Sequence, residues 1–165
     1  MTEPWLRGPI IGMPAMVMPA AHALMQAAED IPAAVEGLTM AQLWARPGGA
    51  APVGFHLRHV AASIDRLLTY ADGEPLSDAQ LATMHEEQVP VEGEAAELAQ
   101  PTVAAIHRAI GVMQEMSPGT YLEPREVGRR RLPTTVFGLL VHIAEHTQRH
   151  AGQIISTSKV VGSVA

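Results

Sequence analysis

Near the C-terminus the chain carries His142-Ile-Ala-Glu145-His146-Thr-Gln-Arg149-His150-Ala-Gly-Gln153, three of its eight histidines at four-residue intervals. In an α-helix, residues four apart are neighbours on one face. Neutral imidazole is the commonest side-chain ligand for transition metals. Two imidazoles one turn apart can therefore grip one ion from the same side, with the third ligand supplied by another helix. Three protein ligands with a position left open are the mark of a reactive metal site.

The angular position of each histidine ranks the candidates. At about 100° per residue, Val136, Leu139, Leu140, Ile143, Thr147, Ala151 and Ile154 form the buried side of the last helix. His150 lies near the centre of that side and His146 on its flank. His142 falls at the border with solvent, beside Glu145 and Arg149.

A second helix, about Val53 to Ala71, is the other one with histidines at its apolar edge. Leu57, Val60, Ile64, Leu67, Leu68 and Ala71 share one face, and His56, His59, Ser63, Arg66 and Tyr70 gather along its border. A solvated helix side would scatter Lys and Glu there. His56 lies closer to the packed face and His59 closer to the polar edge, so either can supply the third ligand. Arg66 and Tyr70 follow along the same edge and are candidates to orient a substrate oxygen.

These helices belong to an all-α pattern, a four-helix bundle with long crossover connections. Residues 1–17, punctuated by Pro4, Pro9 and Pro14, read as an irregular lead-in, and a first helix starts at Pro19. Pro32 threatens that helix with a kink and Gly37 stops it. Thr39 caps a short turn to Leu43, and Arg46 to Pro52 is a loop. After Asp72-Gly-Glu-Pro75, Ser77-Asp-Ala-Gln-Leu81 reads as a short capped helix inside a long crossover. A third helix fits Pro101 to Met116, with Val103, Ile106, Ile110 and Met113 as its stripe. Tyr121 to Pro133 is a second connection, and a fourth helix runs from a Thr134 or Thr135 cap to about Ser158.

Composition narrows the chemistry. The 165 residues fit one domain, 47% hydrophobic but only 4% aromatic, which favours helices over strands. A net charge of −6 argues against a nucleic-acid partner. Cysteine is absent, so any transition-metal site must use histidine and carboxylate, and no thiol nucleophile is built in. No apolar stretch is long and clean enough to span a bilayer. The apolar run after Arg7 is broken by three prolines and lacks a basic leader, so it reads as no signal peptide, and the expected location is cytoplasmic.

Gly54-Phe-His-Leu-Arg-His59 and His142-x3-His146-x3-His150-x-Gly-Gln153 together resemble the DinB-like superfamily of metal-binding four-helix bundles. The likeness extends over most of the chain as a single domain, including the crossover after Asp72-Gly-Glu-Pro-Leu76. It implies a divalent ion, zinc or nickel, held by His59, His146 and His150 with water positions left open. His142 matches a further histidine that is not a ligand in the family; His56 and His142 are thus candidates for supporting roles. The family usually has Arg before Gly-Gln, where this chain has Ala151, with Arg149 just ahead of His150. Relatives include thiol-dependent transferases and isomerases, in which the metal lowers the pKa of a low-molecular-weight thiol. The lack of cysteine agrees with a nucleophile brought by a cosubstrate.

Other readings use the same residues. A non-catalytic site, closed by His56 or His142 as a fourth ligand, would staple two helices together. His142-x-x-Glu145-His146 matches the inverted zincin pattern, with Glu145 as general base, but no later glutamate is available as a ligand. A di-iron bundle needs Glu-x-x-His pairs, and the chain has none. Arg129, Arg130 and Arg131, with Arg125, are candidates to receive the carboxylates of a thiol cofactor or a phosphate, or else form a solvated loop. The implied partners are a small-molecule substrate or thiol, with no membrane; the size is compatible with a homodimer.

Overall fold

The run Val17, Ala21, Leu24, Ala27, Ile31 and Val35 repeats at three- and four-residue steps and is removed from solvent. In the computed structural model of the chain, which describes residues 2–163, this repeat winds Met18–Val35 into α1. Pro19 falls at the start, where no intrahelical N–H is needed. The helix passes through Pro32 and ends before Gly37, which takes a φ of 75°. Met40–Leu43 forms α2, with Thr39 and Gln42 closing a capping box.

Helix α3 spans Val53–Ala71 and α4 spans Asp78–Glu86. The Ser77 cap, closed reciprocally by Gln80, starts α4 as the sequence leads one to expect, but α4 runs five residues past Leu81 to Glu86. Helix α5, Ala95–Glu115, starts six residues before the expected Pro101. Glu94 and Glu97 form a capping box there, and Pro101 is absorbed within the helix at the loss of one backbone hydrogen bond. Its buried face is Thr102, Ala105, Ile106, Ala109 and Met113, leaving Val103 and Ile110 half-buried.

The connection before the last helix is a β-hairpin and not plain coil. Pro124–Val127 (β1) pairs antiparallel with Leu132–Thr135 (β2), in the register Val127 opposite Leu132 and Pro124 opposite Thr135. Each strand is four residues long and carries a proline, so neither shows the alternation that marks a strand in sequence. Thr135 then caps α6, Val136–Gly162, by accepting from the Gly138 N–H at 3.0 Å. The helix extends one turn beyond the expected Ser158.

Helix α1 packs on α5 and α6, and α3 packs on the same two. The described residues are therefore mostly helical, with one small two-stranded sheet. Between α1 and α6 on one side and α3 and α5 on the other lies a core of small aliphatic side chains with Met113 and Tyr121. His56 faces His150 and His59 faces His146, so α3 and α6 run in opposite directions side by side. Among the described residues, no helix is long and apolar enough to cross a membrane.

Candidate metal centre

The periodicity that buries Leu57, Val60 and Ile64 of α3 leaves His56 and His59 on the border that meets α6. The periodicity that buries Ile143, Thr147 and Ala151 turns His146 and His150 toward the same seam. His59, His146 and His150 each offer a ring nitrogen, and the three nitrogens lie within 4.8 Å of one another. His59 Nε2 stands 3.0 Å from His146 Nε2. The edge of a tetrahedron of imidazole nitrogens around zinc is about 3.3 Å, given Zn–N bonds of about 2.0–2.1 Å. The donor set, neutral nitrogen without thiolate, suits a divalent transition-metal ion and is unsuited to calcium or magnesium, which take oxygen.

Two of the three rings are held by a second contact. His59 Nδ1–H donates to Glu87 Oε2 at 2.7 Å, and the other oxygen of Glu87 accepts from Arg66 Nη1 at 2.6 Å. The Glu87 side chain is 6% exposed and the Arg66 side chain 11% exposed, so their ion pair is largely shielded from water, while His59 at 21% stays half-buried. His150 has its Nδ1 2.9 Å from Nδ1 of His56, which is buried. With His150 Nδ1–H as the donor of this pair, Nε2 of His150 is the unprotonated nitrogen left for an ion. Phe55 stacks on His59 with ring centroids 5.2 Å apart and meets His56 edge-on, forming an apolar wall beside the cluster.

Burial sets the charge state. Loss of solvent, followed by the neighbouring His59, lowers His56 from 6.5 to about 4. The same causes lower His146 to about 4 and His150 to about 3, with His142 and Arg149 adding to the effect at His146. All three are therefore neutral at physiological pH, as ligation requires. Burial alone would raise the Glu87 carboxyl, but hydrogen bonds from His59 and Arg66 outweigh it and hold it below the usual range.

The remaining sequence candidates stand elsewhere. His142 is exposed on α6, 3.2 Å from Glu145, which also pairs with Arg149. It lies outside the three-histidine group. Arg66 points at Glu87 and not into open space. Tyr70 lies about 16 Å along α3 from His59. It lines a cavity of about 700 Å³ together with Arg125, Arg129 and Arg131 of the hairpin. Arg131 is paired with Glu126, and Arg125 is bonded to the Ala71 carbonyl and to Glu123. Arg130 is exposed on the hairpin turn. Another cavity, about 1100 Å³, is lined by the end of α1 and the start of α5 and contains none of the clustered histidines.

Glu87 is the residue that sequence reasoning passed over. It sits in His85-Glu86-Glu87-Gln88, a run with the polarity of a solvated connection. Only the extension of α4 to Glu86 carries it to the cap position, from which its side chain turns inward. No local signal distinguishes it from Glu86.

A mostly helical fold with three histidines gathered between two antiparallel helices fits a metal-binding helical protein. The sequence model of the DinB superfamily matches residues 23–154, so the chain belongs to that superfamily. No curated protein matches it.

Proposed function

We propose that this chain is a four-helix-bundle protein that holds one divalent ion, zinc or nickel, on His59, His146 and His150 and uses its open positions to activate a low-molecular-weight thiol for transfer or isomerisation. The single observation that carries the metal reading is the meeting of three ring nitrogens, from two helices, within 4.8 Å. A bound ion of this kind supplies a Lewis acid that lowers the pKa of a coordinated thiol or water. The chain's own residues hold and orient. Glu87 fixes the proton of His59 on Nδ1 and frees Nε2, His56 does the equivalent for His150, and Phe55 keeps water from one side.

An open site is favoured over a structural, four-ligand one. The two spare histidines are both committed: His56 to His150, and His142 to Glu145 at the surface. In this reading Arg66 acts through Glu87, and an ion held by the three histidines would supply the Lewis acidity that lowers the pKa of a thiol brought by a cosubstrate. The arginine-lined cavity beside Tyr70 is not required for that step, and with Arg131 paired to Glu126, Arg129 and Arg130 are left to bind anionic groups at the surface.

Cobalt substitution tests the proposal. Cobalt(II)-loaded protein is expected to show the visible absorption of a low-coordinate nitrogen site. Addition of a small thiol is expected to add a sulfur-to-cobalt charge-transfer band and to accelerate thiol addition to an electrophile. A cobalt spectrum indifferent to thiol would leave a structural metal site in its place.

A further inference from the structure

We infer that Glu87 is a positioning residue that couples the three-histidine site to the crossover of residues 77–91, so that an ion on the histidines tightens this segment onto α3. The inference rests on the metal reading above and adds a mechanical consequence to it. Helix α4 has no buried residue, so apolar packing does not hold it. Its ties are polar. Gln80 donates to Asp65 at 2.7 Å and to Thr69 at 2.8 Å, Arg58 donates to the Val89 carbonyl at 2.6 Å, and Trp44 donates to the Val91 carbonyl at 3.3 Å.

Among these ties, Glu87 is the one whose own side chain is buried, and it alone reaches the histidines. An ion on Nε2 of His59 requires the ring proton on Nδ1, where Oε2 of Glu87 waits 2.7 Å away. Electron density drawn toward the ion makes that N–H a stronger donor, and the charge-assisted bond to the carboxylate strengthens with it. The coupling is reciprocal by thermodynamic necessity: whatever loosens the crossover must weaken the ion. Thr83 and Glu87 also wall a cavity of about 480 Å³ shared with Leu57 and Ala61 of α3 and Leu98 of α5, so the docked position of the crossover shapes a space beside the site.

Hydrogen exchange, followed by mass spectrometry with and without zinc chloride, tests the coupling alongside zinc affinity measured against a competing chelator. In the unaltered protein zinc is expected to slow exchange across residues 77–91 about tenfold or more. Glu87→Ala is expected to abolish that slowing and to lose roughly 10- to 100-fold in zinc affinity. Glu87→Gln, which keeps an acceptor but not the charge, is expected to fall between. Arg58→Ala touches only the crossover tie at Val89 and is expected to weaken zinc by up to about fivefold, the worth of one hydrogen bond. If Glu87→Ala does not fold, the other two variants decide. Zinc bound with unchanged exchange in residues 77–91, or variants that bind zinc as the unaltered protein does, would overturn the coupling alone. Failure of the unaltered protein to bind zinc would overturn the metal reading and the coupling together.

Discussion

Replacing Arg66 by leucine should destabilise the metal-free protein far more than its place on a helix edge suggests. Its side chain is 11% exposed, and its Nη1 lies 2.6 Å from a carboxylate oxygen of Glu87, whose side chain is 6% exposed. Removing one partner of such a pair leaves the other charge buried and unmatched, which costs about 3–5 kcal/mol. His59 still donates to Glu87 after the change, so the lower end applies, about 3 kcal/mol. For a chain of this size that corresponds to a fall in Tm of about 6–12 °C. The internal control is Arg108, whose contact with Asp65 is 3.6 Å long with both side chains about half exposed. Arg108→Ala should cost less than about 1 kcal/mol. Urea unfolding of the two single variants and of the Arg66→Leu/Glu87→Leu double variant gives all the terms. The double variant should regain much of the loss, because an apolar pair carries no stranded charge. If Arg66→Leu costs no more than Arg108→Ala, the buried Glu87–Arg66 pair does not exist in solution.

Three further outcomes follow from the same geometry. His56→Ala should leave the His150 ring without its Nδ1 contact and lower zinc affinity by roughly tenfold or more, read by chelator competition. Gly54→Ala should lower Tm, because a Cβ there would stand 2.7 Å from the Trp44 ring; a cost of about 1–3 kcal/mol is expected from calorimetry. The metal-free protein should lose stability as pH falls from 7 toward 4. His56, His146 and His150 hold values of about 4, 4 and 3 in the fold against an ordinary 6.5. The unfolded chain therefore takes up protons first, and the urea midpoint at pH 5 should lie below that at pH 7. An unchanged midpoint would mean the rings are solvated.

The helices, and the seam between two of them, were legible because periodicity and chemistry coincide there. Leu57, Val60 and Ile64 fix which edge of α3 faces inward, and His59 rides on that edge. The same holds for Ile143 and Thr147 with His146 and His150. The angular count also set His142 at the rim, where the structure has it. Choosing His59 over His56 was beyond the angular count and came from the family likeness. The hairpin escaped because four-residue strands with prolines at positions 124 and 133 carry no alternation. The early start of α5 escaped because Pro101 reads as a beginning, whereas the Glu94–Glu97 box is the true one. Glu87 escaped for a different reason. Its role is fixed by partners 21 and 28 residues away, and a carboxylate in a polar run shows nothing of that in sequence.

The most direct test of the central claim is the metal content and zinc affinity of the purified protein beside four single variants. The unaltered chain should bind one equivalent of zinc. His59→Ala, His146→Ala and His150→Ala should each lose that binding by at least about a hundredfold, since each removes one of three ligands. His142→Ala should bind zinc as the unaltered chain does. Zinc binding that survives His146→Ala, or that depends on His142, would contradict the three-histidine site.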